Sequence, residues 1–427
     1  MNRKPYPQYK PSGVEWLGDV PEHWEVKRLK YNFQLLTAKT ENRTKSIALE
    51  NIESWTGRFI ETETEFDGDG VAFVKDDILF GKLRPYLAKV LKADISGEAV
   101  GDFFVLRPQK TIDSNFASNY LRSKDFINII DGSTFGSKMP RASWDFMGSV
   151  NIPLPPLPEQ KTIAAFLDIE TGRIDALVAK KKRLVELLRE KRTALISRAV
   201  TKGLDLSVKM KQSGVEWLGD VPEHWEVKRL KFILQNPLQY GANEAAELDD
   251  PELPRFVRIT DVDESGNLRE ETFRSLPEEV AKPFLLDEGD ILFARSGATV
   301  GKSFFYRKSW GRAAYAGYLI RARLKKRIAQ PDFINFITKS IFYQQWISSI
   351  LIQATIQNVS AEKYVSFLIP LPPLPEQQAI AAFLDRETGK IDALIAKVET
   401  AVEKLKEYRT ALISAAVTGK IEVRKTI

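Results

Sequence analysis

The sequence predicts a mixed α/β (α+β) chain with an internal duplication: two insert domains carried on a repeated frame, each half ending in long helical sequence. Three observations predict it. Ser12–Lys30, reading SGVEWLGDVPEHWEVKRLK, recurs without a change as Ser213–Lys231. Ile152–Gly203 recurs as Ile369–Lys420, with about 37 of 52 positions identical. Between these repeats lie Tyr31–Asn151 and Phe232–Leu368, which share only short patches. A fixed order of repeated blocks marks a duplicated structural unit. Drift after a tandem duplication would blur frame and insert alike, so the frame has one job and the inserts carry two variants of another.

The elements follow in chain order. IPLPPLPEQ, at Ile152–Gln160 and Ile369–Gln377, cannot be helix or central strand, because its prolines lack the N–H and fix φ. Pro158 and Pro375 suit a first helical turn, followed by Glu159 and Glu376 at the positive end of the helix dipole. This stretch reads as a stiff joint. Beyond it apolar residues recur at alternating spacings of three and four: Ile163, Leu167, Ile174, Leu177, Leu184, Leu188 and Leu195 in the first copy. Ile380, Leu384, Ile391, Leu394, Val398, Ala401, Leu405 and Leu412 do so in the second. That is a heptad seam. Thr171-Gly172 and Thr388-Gly389 are expected to break each stretch into a short helix and a long one. A long part of about 30 residues would span ~45 Å. Two such stripes in one chain are best buried against each other as an antiparallel coiled coil, which relates the halves by a pseudo-twofold axis. Pairing of each helix with another subunit stays open. The domain limits read as 1–155 for the first insert domain, 156–205 for a helical spacer, 206–372 for the second insert domain and 373–427 for a second spacer.

Both inserts look like mixed α/β domains with short strands. Lys45–Ile60 and Arg255–Leu268 each read as strand and turn, with Gly57 and Gly266 at the bends. Asp76–Tyr86 (DDILFGKLRPY) and Gly289–Lys302 (GDILFARSGATVGK) each read as an acidic turn, a DILF strand and a basic loop. An aromatic strand follows in each, Phe103–Val105 and Phe304–Tyr306, and these are read as matched landmarks of one shared fold. Near the end of each insert lies a polar loop, Ser133–Arg141 and Thr355–Ser360.

Composition removes most catalytic chemistry. The 427 residues contain no cysteine and only two histidines, His23 and His224, which are copies of each other. Thiolate nucleophiles, disulfides, cysteine-held zinc and multi-histidine metal sites are therefore unavailable. Gly297–Ser303 (GATVGKS) resembles a P-loop but has three residues between the glycines where four are needed, and a strand-like FFYRK follows it. Glu25-Val26-Lys27 has the E-x-K fragment of some nucleases, a tripeptide common by chance. No methyltransferase-type motif or glycine-rich cofactor loop is present. Apolar residues make up 43% and charged residues 28%, with a formal net charge of +6, which suits a globular chain and permits a polyanionic partner. No apolar run approaches the ~18 residues of a membrane helix and MNRKPYPQYK lacks a signal-peptide core, so a soluble, cytoplasmic chain is expected.

The basic loops can hold a polyanion. Lys82, Arg84 and Tyr86 in the first insert, and Arg295, Ser296 and Lys302 in the second, sit just after a strand. Ser133, Ser137, Lys138 and Arg141 in the first polar loop, and Gln357 and Asn358 in the second, complete the candidate DNA-binding set. Arginine and lysine there can reach phosphates or guanine edges, and amides can read adenine. Singly, each is an ordinary surface side chain; their paired arrangement is the signal.

SGVEWLGDVPEHWEVKRLK, the DILF-type loops, and PLPPLPEQ followed by long helical sequence together resemble the DNA specificity subunit of type I restriction-modification systems, over essentially the whole chain. The resemblance implies two target-recognition domains in inverted orientation, separated by an antiparallel helical pair. It implies a non-catalytic chain that reads double-stranded DNA at a bipartite, asymmetric target. It also implies recruitment of two modification (methyltransferase) subunits and of restriction subunits, with S-adenosylmethionine, ATP and Mg2+ on those partners and no cofactor on this chain. A self-contained nuclease with a degenerate site, and a protein-binding scaffold, are the competing readings.

Overall fold

The computed structural model describes residues 4–40, 45–62, 70–134, 138–263, 266–352 and 358–423. The chain divides into two compact units, Met1–Lys182 with Glu399–Ile427, and Arg183–Val398. Their limits fall inside the long helices, because each unit draws helical segments from both.

In the first unit a four-stranded antiparallel sheet is built from β1 (Phe33–Leu36), β2 (Ile78–Gly81), β3 (Val90–Lys92) and β4 (Phe103–Pro108), in the order β1-β4-β2-β3. Phe104 lies opposite Phe80, and Phe80 opposite Val90. In the second unit β5 (Gln239–Tyr240), β6 (Ile291–Ala294), β7 (Ser303–Phe305) and β8 (Leu319–Ala322) repeat the arrangement as β5-β8-β6-β7. Leu292 faces Arg321 and Phe304. The shared fold is thus real, but the aromatic landmarks were mismatched in sequence. Phe304 belongs to the hairpin strand that answers β3, and the counterpart of the Phe103 strand is β8. Aromatic content marked burial in both places, and only pairing distinguishes them.

The DILF runs are continuous and apolar because both faces of these strands are covered. Successive side chains point to opposite faces, so Ile78 and Phe80 enter the main core with the helices Ser114–Leu121 and Lys124–Gly132, while Leu79 enters a smaller core. Ile291 and Phe293 divide from Leu292 and Ala294 in the same way. The acidic turn before each strand is structural. Asp77 is buried, accepts from the Val74 N–H at 2.8 Å, and takes Arg107 bidentately at 2.9 and 2.8 Å. Asp290 does the same with the Asp287 N–H at 2.8 Å and Arg323 at 2.9 and 2.7 Å.

The joint is an edge ladder followed by a helix. Asn151–Leu154 pairs antiparallel with Glu25–Arg28, and Leu368–Leu371 with Glu226–Arg229, two-stranded arrangements that tolerate proline. Helix α1 runs unbroken over Leu157–Lys202 and α2 over Leu374–Val417, which corrects the expected break at Thr171-Gly172 and Thr388-Gly389. A mid-helix glycine costs only about 1 kcal/mol, less than the packing of the flanking turns supplies. The seam is also shifted: Leu177, Leu184 and Leu394 are exposed, and Val178, Val185, Ile395 and Val402 turn inward instead. Each exposed residue adjoins another apolar one, so the alternation of three and four fits two phases and the sequence does not choose between them.

Within the first unit the two helical segments run antiparallel in one core, shared by Ile163, Leu167, Ile174 and Val178 of α1 and Leu405, Leu412 and Ile413 of α2. Trp24 donates to Glu159 at the start of α1 and lies against Gly419 just past the end of α2, while Arg409 donates to Asp175 at 3.0 Å farther along. Within the second unit Ile196, Ala199 and Val200 share a core with Ile380, Ala381 and Leu384, and Arg192 meets Asp392 bidentately at 2.8 and 3.1 Å. A half-buried cation adjoins each of these pairs. Burial and the charge of Arg409 push the Arg122 guanidinium down to about 10, and burial and Arg192 lower Lys339.

Candidate nucleic-acid interface

The identical frame segments are clamps. Glu159 accepts from Tyr6 Oη at 2.7 Å, Trp24 Nε1 at 3.2 Å and meets His23 Nε2 at 2.7 Å. Glu376 meets Trp225 Nε1 at 3.1 Å and His224 Nε2 at 2.8 Å. Burial, then the Glu159 hydrogen bond, raises the Tyr6 phenol well above its ordinary value. The neighbouring glutamines are fully buried and bind backbone: Gln160 takes the Asp113 N–H and donates to Thr111 and Pro155 carbonyls, and Gln377 takes the Gln330 N–H and donates to Ile328 and Pro372. Both histidines therefore serve the frame.

The loops after β2 and β6, 82–89 and 295–302, are equal in length and close alike. The Gly81 N–H donates to Lys89 O and the Ala294 N–H to Lys302 O, both at 2.8 Å, around short 3-10 turns at Pro85–Leu87 and Gly297–Thr299. Two further segments meet each loop through matching backbone bonds. The Lys82 N–H donates to Asp102 O and the Arg295 N–H to Tyr318 O. The Ala142 N–H donates to Lys82 O and the Val359 N–H to Arg295 O. Leu83 bridges Arg141, and Ser296 bridges Asn358. Loops distant in sequence thus converge on one surface in each unit, and the hydrogen bonds fix which residues correspond.

The predicted residues are distributed as follows. Lys82 is half-buried, 3.7 Å from Asp102, and Arg141 donates to the same carboxylate at 2.9 Å. Arg84 and Tyr86 are exposed, Arg84 with φ of 50°. Lys138 is exposed nearby in sequence, whereas the Ser133 hydroxyl caps the preceding helix by donating to Ile130 O at 2.7 Å. In the second unit the Arg295 guanidinium lies 4.8 Å from the Tyr240 ring centre, Ser296 and Asn358 are paired, and Lys302 is exposed. Arg295 Nε and Asn358 Oδ1 are enclosed without a hydrogen-bond partner. Ser137 and Gln357 lie outside the described residues. Sequence reasoning missed Asp102, Tyr240 and Tyr318. The one signal available for Asp102 and Tyr318 is a glycine just before a strand, Gly101 and Gly317, at the mouth of each hairpin.

Among the described residues there is no group of three or more histidine, cysteine or acidic side chains placed to hold a metal, and no helix is long and apolar enough to cross a membrane. What the two surfaces offer is cations, amides and aromatic rings on strand-supported loops, a set suited to phosphates and base edges.

Comparison with known proteins identifies the family. A family model described as the type I restriction modification DNA specificity domain matches residues 21–187 and 222–404, once per half. The chain belongs to this family, whose members recognise DNA sequence as specificity subunits and are not themselves catalytic. It is 24% identical to the type I restriction enzyme MjaVIII specificity subunit of Methanocaldococcus jannaschii, over 95% of this chain and 94% of that one. It is 26% identical to the EcoKI specificity subunit of Escherichia coli, over 74% and 68%. Its fold resembles a chain from the structure titled for complex assembly and conformational transition of the type I R-M system, with a TM-score of 0.75, 17% identity, and coverage of 94% and 99%. The HsdS subunit of Thermoanaerobacter tengcongensis gives a TM-score of 0.54 at 18% identity, over 94% and 98%.

Proposed function

We propose that each unit reads one half of a bipartite, asymmetric site on double-stranded DNA, with the long helices as spacer. On this reading the chain is the scaffold for two modification subunits and the restriction subunits. S-adenosylmethionine, ATP and Mg2+ act on those partners, and no cofactor is assigned to this chain. The observation that carries the reading is the three-loop arrangement, built twice from the same backbone bonds and furnished with different side chains. Two unlike readers on an identical frame call for two unlike half-sites and one kind of docking partner used twice. Phosphate contacts from Lys82, Arg84, Lys138 and Lys302 supply salt-dependent affinity, and the remaining loop side chains supply the sequence choice.

The test is to replace 31–151 with the matching region of a relative and map methylated motifs in cells that also make the modification subunits. One half-site changes and the other stays. Change in both halves, or in neither, ends the modular reading.

A further inference from the structure

The backbone bridges assign Arg141 and Asn358 to the same position of the two readers, each beside the loop that follows the DILF strand. These are the two side-chain types that read purines bidentately in the major groove, arginine at guanine O6 and N7, asparagine at adenine N6 and N7. We infer that this shared position determines specificity, with Arg141 reading a guanine in the first half-site and Asn358 an adenine in the second. The inference rests on the DNA-reading proposal above and adds base identity to it.

Arg141 is prepared for the task. Its Nη2 donates to Asp102 Oδ2 at 2.9 Å, yet the side chain is 56% exposed, so further N–H donors remain free. An arginine side chain carries ~2 kcal/mol of rotamer entropy, and the Asp102 contact removes part of that freedom before DNA arrives. An acid on a face that meets phosphates lowers affinity unless it positions something. Asp102 positions both Lys82 and Arg141. In the second unit Tyr318 stands where Asp102 does, which is coherent because Asn358 is neutral and needs no counter-charge. Asn358 Oδ1 is enclosed and has no donor in the free protein, so the amide gains a partner by turning outward onto an adenine amino group.

The experiment uses the full chain with its modification subunits. Methylome mapping first defines the two half-sites, and competition binding then tests duplexes changed at single positions. For the wild type, replacing one guanine of the first half-site weakens binding about 5- to 150-fold. With Arg141→Ala that penalty falls to near onefold at that position alone, and the second half-site is still read, which shows that the chain is folded. Arg141→Asn shifts the preference there toward adenine. Asp102→Asn keeps the guanine preference but weakens binding, as expected of a positioning residue. Asn358→Ala removes discrimination at one adenine of the second half-site. Should Arg141→Ala leave every first-half penalty intact, or abolish discrimination at all of them equally, the assignment is overturned while the reading of DNA by this chain stands. Should the wild-type complex show no position-dependent penalty at all, the DNA-reading proposal fails and this inference with it.

Discussion

The loops that follow β2 and β6 share a backbone and differ in nearly every side chain that backbone exposes. Both place a left-handed residue at the third position and another at the seventh: Arg84 and Ala88 in the first unit (φ 50° and 47°), Gly297 and Gly301 in the second (φ 77° and 81°). Asp102 with its two cations in one unit answers Tyr318 in the other, and Arg295 rests on a tyrosine ring instead of a carboxylate. Beneath the loops the units agree closely, with a buried aspartate holding an arginine at the strand entrance in each. Apolar cores and buried ion pairs laid out alike hold the strands in both copies. The surface above them is therefore free to diverge, since exposed side chains away from such features change stability little.

The largest expected effects lie in that shared layer. Asp77→Ala strips the Arg107 guanidinium of its carboxylate and leaves the Val74 N–H unpaired, whereas Asp290→Ala frees the Asp287 N–H but leaves Arg323 its second ion pair, to the Asp287 carboxylate at 2.7 Å. Removing one partner of a buried pair costs about 3–5 kcal/mol. Because Arg107 and Arg323 keep some solvent contact, the lower part of that range is expected. Denaturant unfolding should show the larger loss for Asp77→Ala, because Arg323 retains Asp287. A loss below about 1 kcal/mol in either would show that the hairpins rest on apolar packing alone.

The frame clamps come next, and here the copies differ by one residue. Glu159 serves Tyr6, His23 and Trp24, while among the described residues Glu376 serves only His224 and Trp225. Each alanine replacement strands a buried tryptophan N–H, at about 1–3 kcal/mol. Glu159→Ala also strands the Tyr6 hydroxyl, so it should cost about 1 kcal/mol more than Glu376→Ala. Equal losses in denaturant melts would mean that water replaces the glutamate at Tyr6.

Much of this was legible before the structure. The repeat gave the duplicated frame, DILF gave the central strands, and alternating three and four spacings gave the helices. The parts that were not legible share a physical cause, that contacts between residues far apart in sequence leave no local pattern. The partners of Asp77 and Asp290 are far away in sequence, Arg107 on β4 and Arg323 just past the end of β8, so nothing local marked these turn acids as buried. The adjacent apolar pairs at Leu177 and Leu184 left the helix phase open. Asp102 and Tyr318 join the site through their carbonyls, which accept from the Lys82 and Arg295 N–H groups, and the Ser133 hydroxyl donates to Ile130 O at the end of a helix.

The smallest effect separates fold from function most cleanly, because its two readouts move in opposite directions. A left-handed conformation costs a residue with a Cβ roughly 1–2 kcal/mol, and Arg84 bears that cost where the second unit uses Gly297. Arg84→Gly relieves the strain but adds unfolded-chain entropy worth about 0.5–1 kcal/mol. A net stabilisation of roughly 0.5–1 kcal/mol should appear in denaturant unfolding. The same variant loses an exposed guanidinium that has no ion pair among the described residues, so DNA affinity should fall, and the slope of log affinity against log salt should shrink by about one. Gly297→Ala, which introduces the same strain without a charge, should destabilise by a similar amount and leave the salt slope unchanged. A gain in stability with unaltered DNA binding would make Arg84 a residue of the loop's surface rather than of its reading face, and would leave Lys82 and Arg141 as the cations through which the first unit meets its target.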